Sequence, residues 1–238
     1  SSASASPHPE FDVVDRDIER SLWNYVESEG MGEELMLDRR RELSRIVHGA
    51  MDSFHTAGHN LHYYQGYHDI ATVLLLVTGE RTAFALSTAV SRTFLCDAHH
   101  PDMSRMINLL GLLFPLLKVA DSELHSFILD SGVPPYFALS WVLTWFSHSL
   151  KDLPTVARVF DFMLSSHPLM SLYVSVRVIV HRRAELLACP CELSEVHGLL
   201  QNMPDTLPWE ELLQQSLKLY RDFPASELLL KDKALVKE

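Results

Sequence analysis

From residue 11 onward the chain is written largely in helical periods. Leu43, Ile46, Val47, Ala50, Met51 and Phe54 recur three and four apart, which draws one apolar stripe along one helix. A second helix is predicted over about 81–96. A third follows Pro101 and Asp102 and runs through Met106, Leu109, Leu110, Leu113 and Leu117. Asp121 is placed to cap the next, with Leu124, Phe127 and Ile128 turned inward. Pro135 opens a helix rich in Trp141, Trp145 and Phe146, and Pro154 stands in the first turn of one carrying Val156, Val159, Phe160 and Met163. The last two helices are expected over 194–203 and 207–223.

One segment resists this reading. Residues 172–180, LYVSVRVIV, alternate valines at period two and are rich in β-branched side chains, so locally they read as a strand. No partner strand is evident, and a lone strand leaves its backbone groups unpaired. Pro168 at a helix start, with a run continuing through Ala188, favours a buried helix. The fold class is therefore all-α.

Composition narrows the possibilities. The chain has 238 residues, 47% of them hydrophobic, enough for one or two cores. Its 20 basic and 31 acidic residues leave a net charge of −11, which argues against nucleic acid or an anionic membrane surface as the main partner. The longest basic run, Arg39-Arg40-Arg41, is surrounded by Glu33, Glu34, Asp38 and Glu42 and reads as a solvated helix face. Three cysteines, two of them in the C-x-C of Cys189-Pro-Cys191, make no disulfide framework and imply a reducing compartment. The longest apolar runs, 70–77 and 137–146, fall short of the ~20 residues of a membrane span. Residues 1–10, SSASASPHPE, read as a linker or cloning remnant, and 225–238 as a C-terminal tail.

The densest chemistry is the stretch NLHYYQGYHDIATVLLLV, which sets three tyrosines, two histidines, Gln65, Gly66 and Asp69 directly before an unbroken apolar run. Such crowding means either a buried hydrogen-bond network or a site. Upstream, Asp17 and Arg20 lie three apart on one helical face, where a carboxylate can hold a guanidinium in a fixed pose. Thirteen histidines also invite a metal. His55, His59 and His62 fall at i, i+4 and i+7, although no carboxylate motif accompanies them and Gly58 interrupts the face. His99 and His100 fall in a predicted loop. No G-x-S-x-G, cysteine nucleophile motif or phosphate-binding glycine loop occurs.

Two of these segments, taken together, resemble the paired signatures of the TBC domain of Rab-type GTPase-activating proteins. The first is Val14-x-x-Asp17-x-x-Arg20, with valine where the family has isoleucine. The second is Tyr63-Tyr64-Gln65-Gly66, in the family's order. Downstream, Phe137-x-x-x-Trp141, Trp145-Phe146 and Val156-x-Arg158-x-Phe160-Asp161 resemble a further family block, with Phe160 for the usual tryptophan. The likeness covers about residues 11–224. The wording YYQGYHDI, with HPLM at 167–170, is most similar to the branch with the endoplasmic-reticulum-anchored member.

The resemblance implies an all-α, V-shaped, multi-helix domain over 11–224 with a groove for the GTPase and its N-terminal part trimmed. It implies a catalytic activator acting in trans on a Rab-family GTPase, with no substrate chemistry and no cofactor of its own, since GTP and Mg²⁺ are carried by the partner. Arg20 would be an arginine finger and Gln65 a glutamine finger, with Asp17, Tyr63, Gly66 and Asp69 in support. The place of action would be the cytoplasmic face of endoplasmic reticulum or Golgi membranes, reached through regions outside this chain. Two alternatives stay open at this point: a non-catalytic helical Rab-binding module, and a histidine-ligated metalloenzyme.

Overall fold

A computed structural model describes residues 9–26, 29–56, 61–204 and 206–228, without the side chains of 55 and 56. Among these residues it is all-α, with thirteen α-helices, two 3-10 turns and no strand. The chain divides into two compact units. One runs up to Met103 and includes Leu150–Ala157; the other comprises Ser104–Ser149 and the residues from Arg158 on.

The first unit is built on α1 (Phe11–Glu19), α2 (Glu33–Thr56), α3 (Tyr67–Thr78) and α4 (Glu80–Thr93). The predicted stripe of α2 is buried along its whole length, from Leu43 to Phe54. It packs against α1, α3 and α4. The apolar run at 70–77 is the body of α3, whose Ile70, Ala71, Val73, Leu74 and Leu75 are all buried; a helix apolar on nearly every face belongs in a core. Gly79, at φ +78°, ends α3 and starts α4, a backbone state a side chain would resist.

The basic run departs from the expected solvated face at one position. Arg39 and Arg41 pair with Glu42 and Asp38 as surface arginines do. Arg40 instead turns back, donating to the Ser21 carbonyl at 3.0 Å and lying 5.3 Å over the exposed ring of Trp23.

The second unit contains α5 (Ser104–Gly111), α6 (Leu113–Ala120), α7 (Ser122–Asp130), α8 (Leu139–Thr144), the end of α9 (Leu153–Leu164), α10 (Met170–His181), α11 (Arg183–Ala188), α12 (Leu193–Gln201) and α13 (Trp209–Asp222). The strand-like segment is α10, which packs against α6, α8, α11 and α13. Burial on almost all sides removes the polar positions that would have marked a period of 3.6, so the valines are free to alternate.

Three expected helices are shorter than the periodicity suggests. The run from Met106 to Leu117 breaks at Leu112, because Pro115 has no N–H to return to Gly111 and its ring crowds that carbonyl. The run through Ala188 breaks at Arg182. Its buried guanidinium donates to the Leu199 and Asn202 carbonyls at the end of α12, at 2.7 and 3.0 Å, and to Glu185. The tryptophan-rich segment starts as a 3-10 turn, Pro135–Ala138, and its helix stops before Trp145. Trp145 and Phe146 take left-handed backbone angles, φ +48° and +68°, and both are buried. The Trp145 ring meets Phe160 edge-on at 5.2 Å and the Phe146 ring meets Trp209 at 5.2 Å, contacts that hold the strained turn. Asp121 caps α7 as expected, accepting from the Leu124 N–H at 2.9 Å.

Candidate functional site

The candidate site residues Asp17, Arg20, Tyr63, Gln65, Gly66 and Asp69 all lie in the first unit. Helix α1 is amphipathic and turns Val14, Asp17 and Ile18 inward. Arg20 is not within it but follows its last residue, where the backbone N–H closes onto the Asp17 and Ile18 carbonyls. The side chain is therefore free to leave the helix surface. It is 73% exposed, while Asp17 is 6% exposed.

Two contacts hold the inner edge of the Arg20 guanidinium. Its Nε donates to the Arg16 carbonyl at 3.1 Å, and Nη2 donates to Asp17 Oδ1 at 3.1 Å. Nη1 has no partner among the described residues. The outer edge of the fork is thus presented to solvent by a carboxylate that is itself immobilised.

What immobilises Asp17 is Tyr63. Its hydroxyl donates to Asp17 Oδ2 at 2.9 Å and lies 2.8 Å from His68 Nδ1. Burial, and then the Asp17 carboxylate, push the Tyr63 hydroxyl far above its ordinary pKa, so it remains a donor throughout the physiological range. Gln65 is two residues further along the same loop. It is exposed, and its amide has no partner among the described residues. The backbone then reverses at Gly66, which is buried at φ +113° and precedes the first residue of α3. A β-carbon is disfavoured there, so the glycine permits the kink that leaves Gln65 at the surface. Asp69 sits in the first turn of α3, where a carboxylate suits the helix dipole, with Oδ1 3.4 Å from His68 Nε2. Asp17, Arg20, Tyr63 and Asp69 are thus brought into one cluster, and Gln65 and Gly66 stand on the loop that carries it.

The loop before Gln65 is pinned by two residues the sequence left unused. Glu10, placed in the linker from the sequence, accepts from the Tyr63 N–H at 2.7 Å through Oε2, and its Oε1 lies 3.3 Å from His62 Nδ1. His99, read from the sequence only as a loop histidine, is fully buried and clasps His62 on both backbone groups. The His62 N–H donates to the His99 carbonyl at 2.9 Å, and His99 Nδ1–H donates to the His62 carbonyl at 2.8 Å. Its ring stands edge-on to Tyr64 and Tyr67, with centroids 4.9 and 4.7 Å apart. The density of aromatic and polar residues around Gln65 was the only signal for such a brace. The histidine triple named from the sequence falls partly outside the described residues, which lack His59 and the His55 side chain. His62 is committed to Glu10.

Burial holds the His99 pKa down to about 4, against the opposing pull of its bond to the His62 carbonyl. An unfolded histidine takes up a proton below about pH 6.5, whereas the folded site does so only near 4. The unfolded chain therefore binds more protons in that window, and stability falls as the pH falls through it. The loss approaches roughly 3 kcal/mol at the lower end. Thermal melts from pH 7 to 4.5 should show a steeper decline for the unaltered chain than for His99→Gln, whose amide does not titrate. Equal slopes would show that His99 takes up its proton in the fold at the same pH as in the unfolded chain.

No helix among the described residues is long and apolar enough to cross a membrane. The Rab-GTPase-TBC domain family model matches residues 2–187. The chain is similar to TBC1 domain family member 20 of Homo sapiens, 38% identical over 219 residues that cover 92% of this chain and 53% of that protein. The Mus musculus protein of the same name gives the same figures. GTPase-activating protein gyp10 of Schizosaccharomyces pombe is 29% identical over 232 residues, covering 96% of this chain and 60% of the yeast protein. The chain spans about half the length of the TBC1 domain family member 20 proteins it matches. With its all-α fold and a family match over most of its length, this chain belongs to the Rab-GTPase-TBC domain family.

Proposed function

We propose that this chain is a GTPase-activating domain that accelerates GTP hydrolysis by a Rab-family small GTPase, with Arg20 and Gln65 supplied in trans. One observation carries this reading. An exposed arginine is anchored by a buried aspartate, and that aspartate is held by the tyrosine two residues before an exposed glutamine.

The chemistry follows from what a small GTPase lacks. Charge that develops on the transferring phosphoryl group is incompletely compensated in the isolated enzyme, and the attacking water is poorly held. A guanidinium presenting Nη1 and the second proton of Nη2 supplies fixed donors to the phosphate oxygens. Such a finger accelerates hydrolysis by about 10³–10⁵. A carboxamide supplies the second need: its oxygen accepts a hydrogen bond from water while its nitrogen donates elsewhere, so it orients the nucleophile without titrating. The GTP and Mg²⁺ belong to the partner. Gly66 gives the glutamine loop its reversal, and Asp69 supports the start of α3 beneath it. The wording YYQGYHDI supports action at the cytoplasmic face of early secretory membranes.

The decisive experiment is single-turnover GTP hydrolysis across a panel of Rab-type GTPases. At least one member should release phosphate faster by about a thousandfold or more with this chain present. Complexes that form without faster hydrolysis would establish a binding module instead.

A further inference from the structure

His68 packs against the Asp17–Tyr63 pair and has no role in the mechanism above. It lies in the first turn of α3 with its side chain only 13% exposed. Nδ1 is 2.8 Å from the Tyr63 hydroxyl and 3.8 Å from Asp17 Oδ2, and Nε2 is 3.4 Å from Asp69 Oδ1.

Counting protons decides how this group is wired. The Tyr63 hydroxyl has one hydrogen and two near neighbours. Asp17 is a carboxylate and can only accept. If Tyr63 gave its hydrogen to His68, the Asp17 and Tyr63 oxygens would face each other at 2.9 Å with no proton between them. The arrangement free of that conflict has Nδ1 protonated and donating to the Tyr63 oxygen, and Tyr63 donating to Asp17. Asp17 then accepts from Arg20 on its other oxygen. Every bond in this chain runs towards Asp17, which is the group that orients the guanidinium.

We infer that His68 is a positioning residue: its Nδ1–H commits the Tyr63 proton to Asp17, and so sets the pose of Arg20. This rests on the reading of Arg20 as the finger. A bland alternative assigns His68 to packing beneath Tyr63, and the two differ in what a substitution of equal shape would do. Phenylalanine keeps a ring but loses the donor. Asparagine loses the ring but places an N–H₂ at about the position of Nδ1.

With a GTPase that responds to the unaltered chain, His68→Phe should lower the kcat of stimulated hydrolysis about tenfold, the worth of one orienting hydrogen bond, and leave half-saturation by the GTPase unchanged. His68→Asn should restore kcat to within about twofold. In a Tyr63→Phe background, His68→Phe should cost nothing further, because both act through one hydroxyl. A His68→Phe variant with unaltered kcat, or one that loses as much again in the Tyr63→Phe background, would overturn the inference. Nitrogen-15 NMR of the histidine-labelled, unaltered chain gives a readout independent of any GTPase, and it decides the matter should His68→Phe fail to fold. Nδ1 should carry a proton, and a ring protonated at Nε2 alone would overturn the wiring whatever the kinetics. Failure of the unaltered chain to stimulate any GTPase overturns the proposed function instead, with the NMR result still standing as the test of His68.

Discussion

Arg20→Ala is expected to reduce stimulated GTP hydrolysis at least about a hundredfold in a single-turnover assay, a lower bound set below the about 10³–10⁵ that an arginine finger contributes. Arg20→Lys should recover little of it. Lysine carries the charge, but as one compact ammonium on a flexible stem, which cannot hold Asp17 with one edge and offer a planar pair of donors with the other. Neither change should harm the fold. The side chain is 73% exposed, an exposed ion pair contributes little to stability, and Asp17 keeps Tyr63 as a donor. The melting temperature should stay within a few degrees. GTPase binding should largely survive, since interface energy is spread over other anchors. Retained stimulation by Arg20→Ala would remove Arg20 from the mechanism.

Gln65→Ala should be comparably damaging, again about a hundredfold or more, for a different reason. It removes the acceptor for the attacking water and leaves the charge compensation intact. Gln65→Glu separates the two properties of the side chain. It keeps the length and an oxygen, but brings a negative charge up to a triphosphate and loses the N–H₂ donor, so it should fare no better than alanine. Because the amide engages no partner among the described residues, both variants should melt with the unaltered chain. A Gln65→Glu variant close to full activity would mean that the side chain does not approach the phosphates.

The two candidate fingers differ in how their supports could be foreseen. Asp17 beside Arg20 is a local matter: a spacing of three at the end of one helix brings the pair together whatever the rest of the fold does. Gly66 could likewise be read as a break. The braces of the glutamine loop could not be read this way. Glu10 reaches Tyr63 across 53 residues, and His99 reaches His62 across 37. No periodicity encodes such a meeting, and polar residues near a chain end or in a loop look alike whether or not a fold brings them to a partner. The same blindness placed Glu10 in a linker and treated Arg40 as one more solvated arginine.

Helix lengths were misjudged where burial or a single residue overrode the pattern. Pro115 cuts a run whose apolar spacing continues past it, and Trp145 and Phe146 leave the helix because their rings are needed in the core.

By itself, the sequence determined the all-α class, the apolar faces of the helices, the kink at Gly66 and the Asp17–Arg20 pairing, because each depends on residues within a turn or two of one another. Only the tertiary structure decided that Tyr63 meets Asp17, that His68 stands behind Tyr63, and that His99 is a buried neutral brace. Those contacts exist only once α1, α3 and the turns that follow α4 have packed, and packing is set by the shape of the whole core.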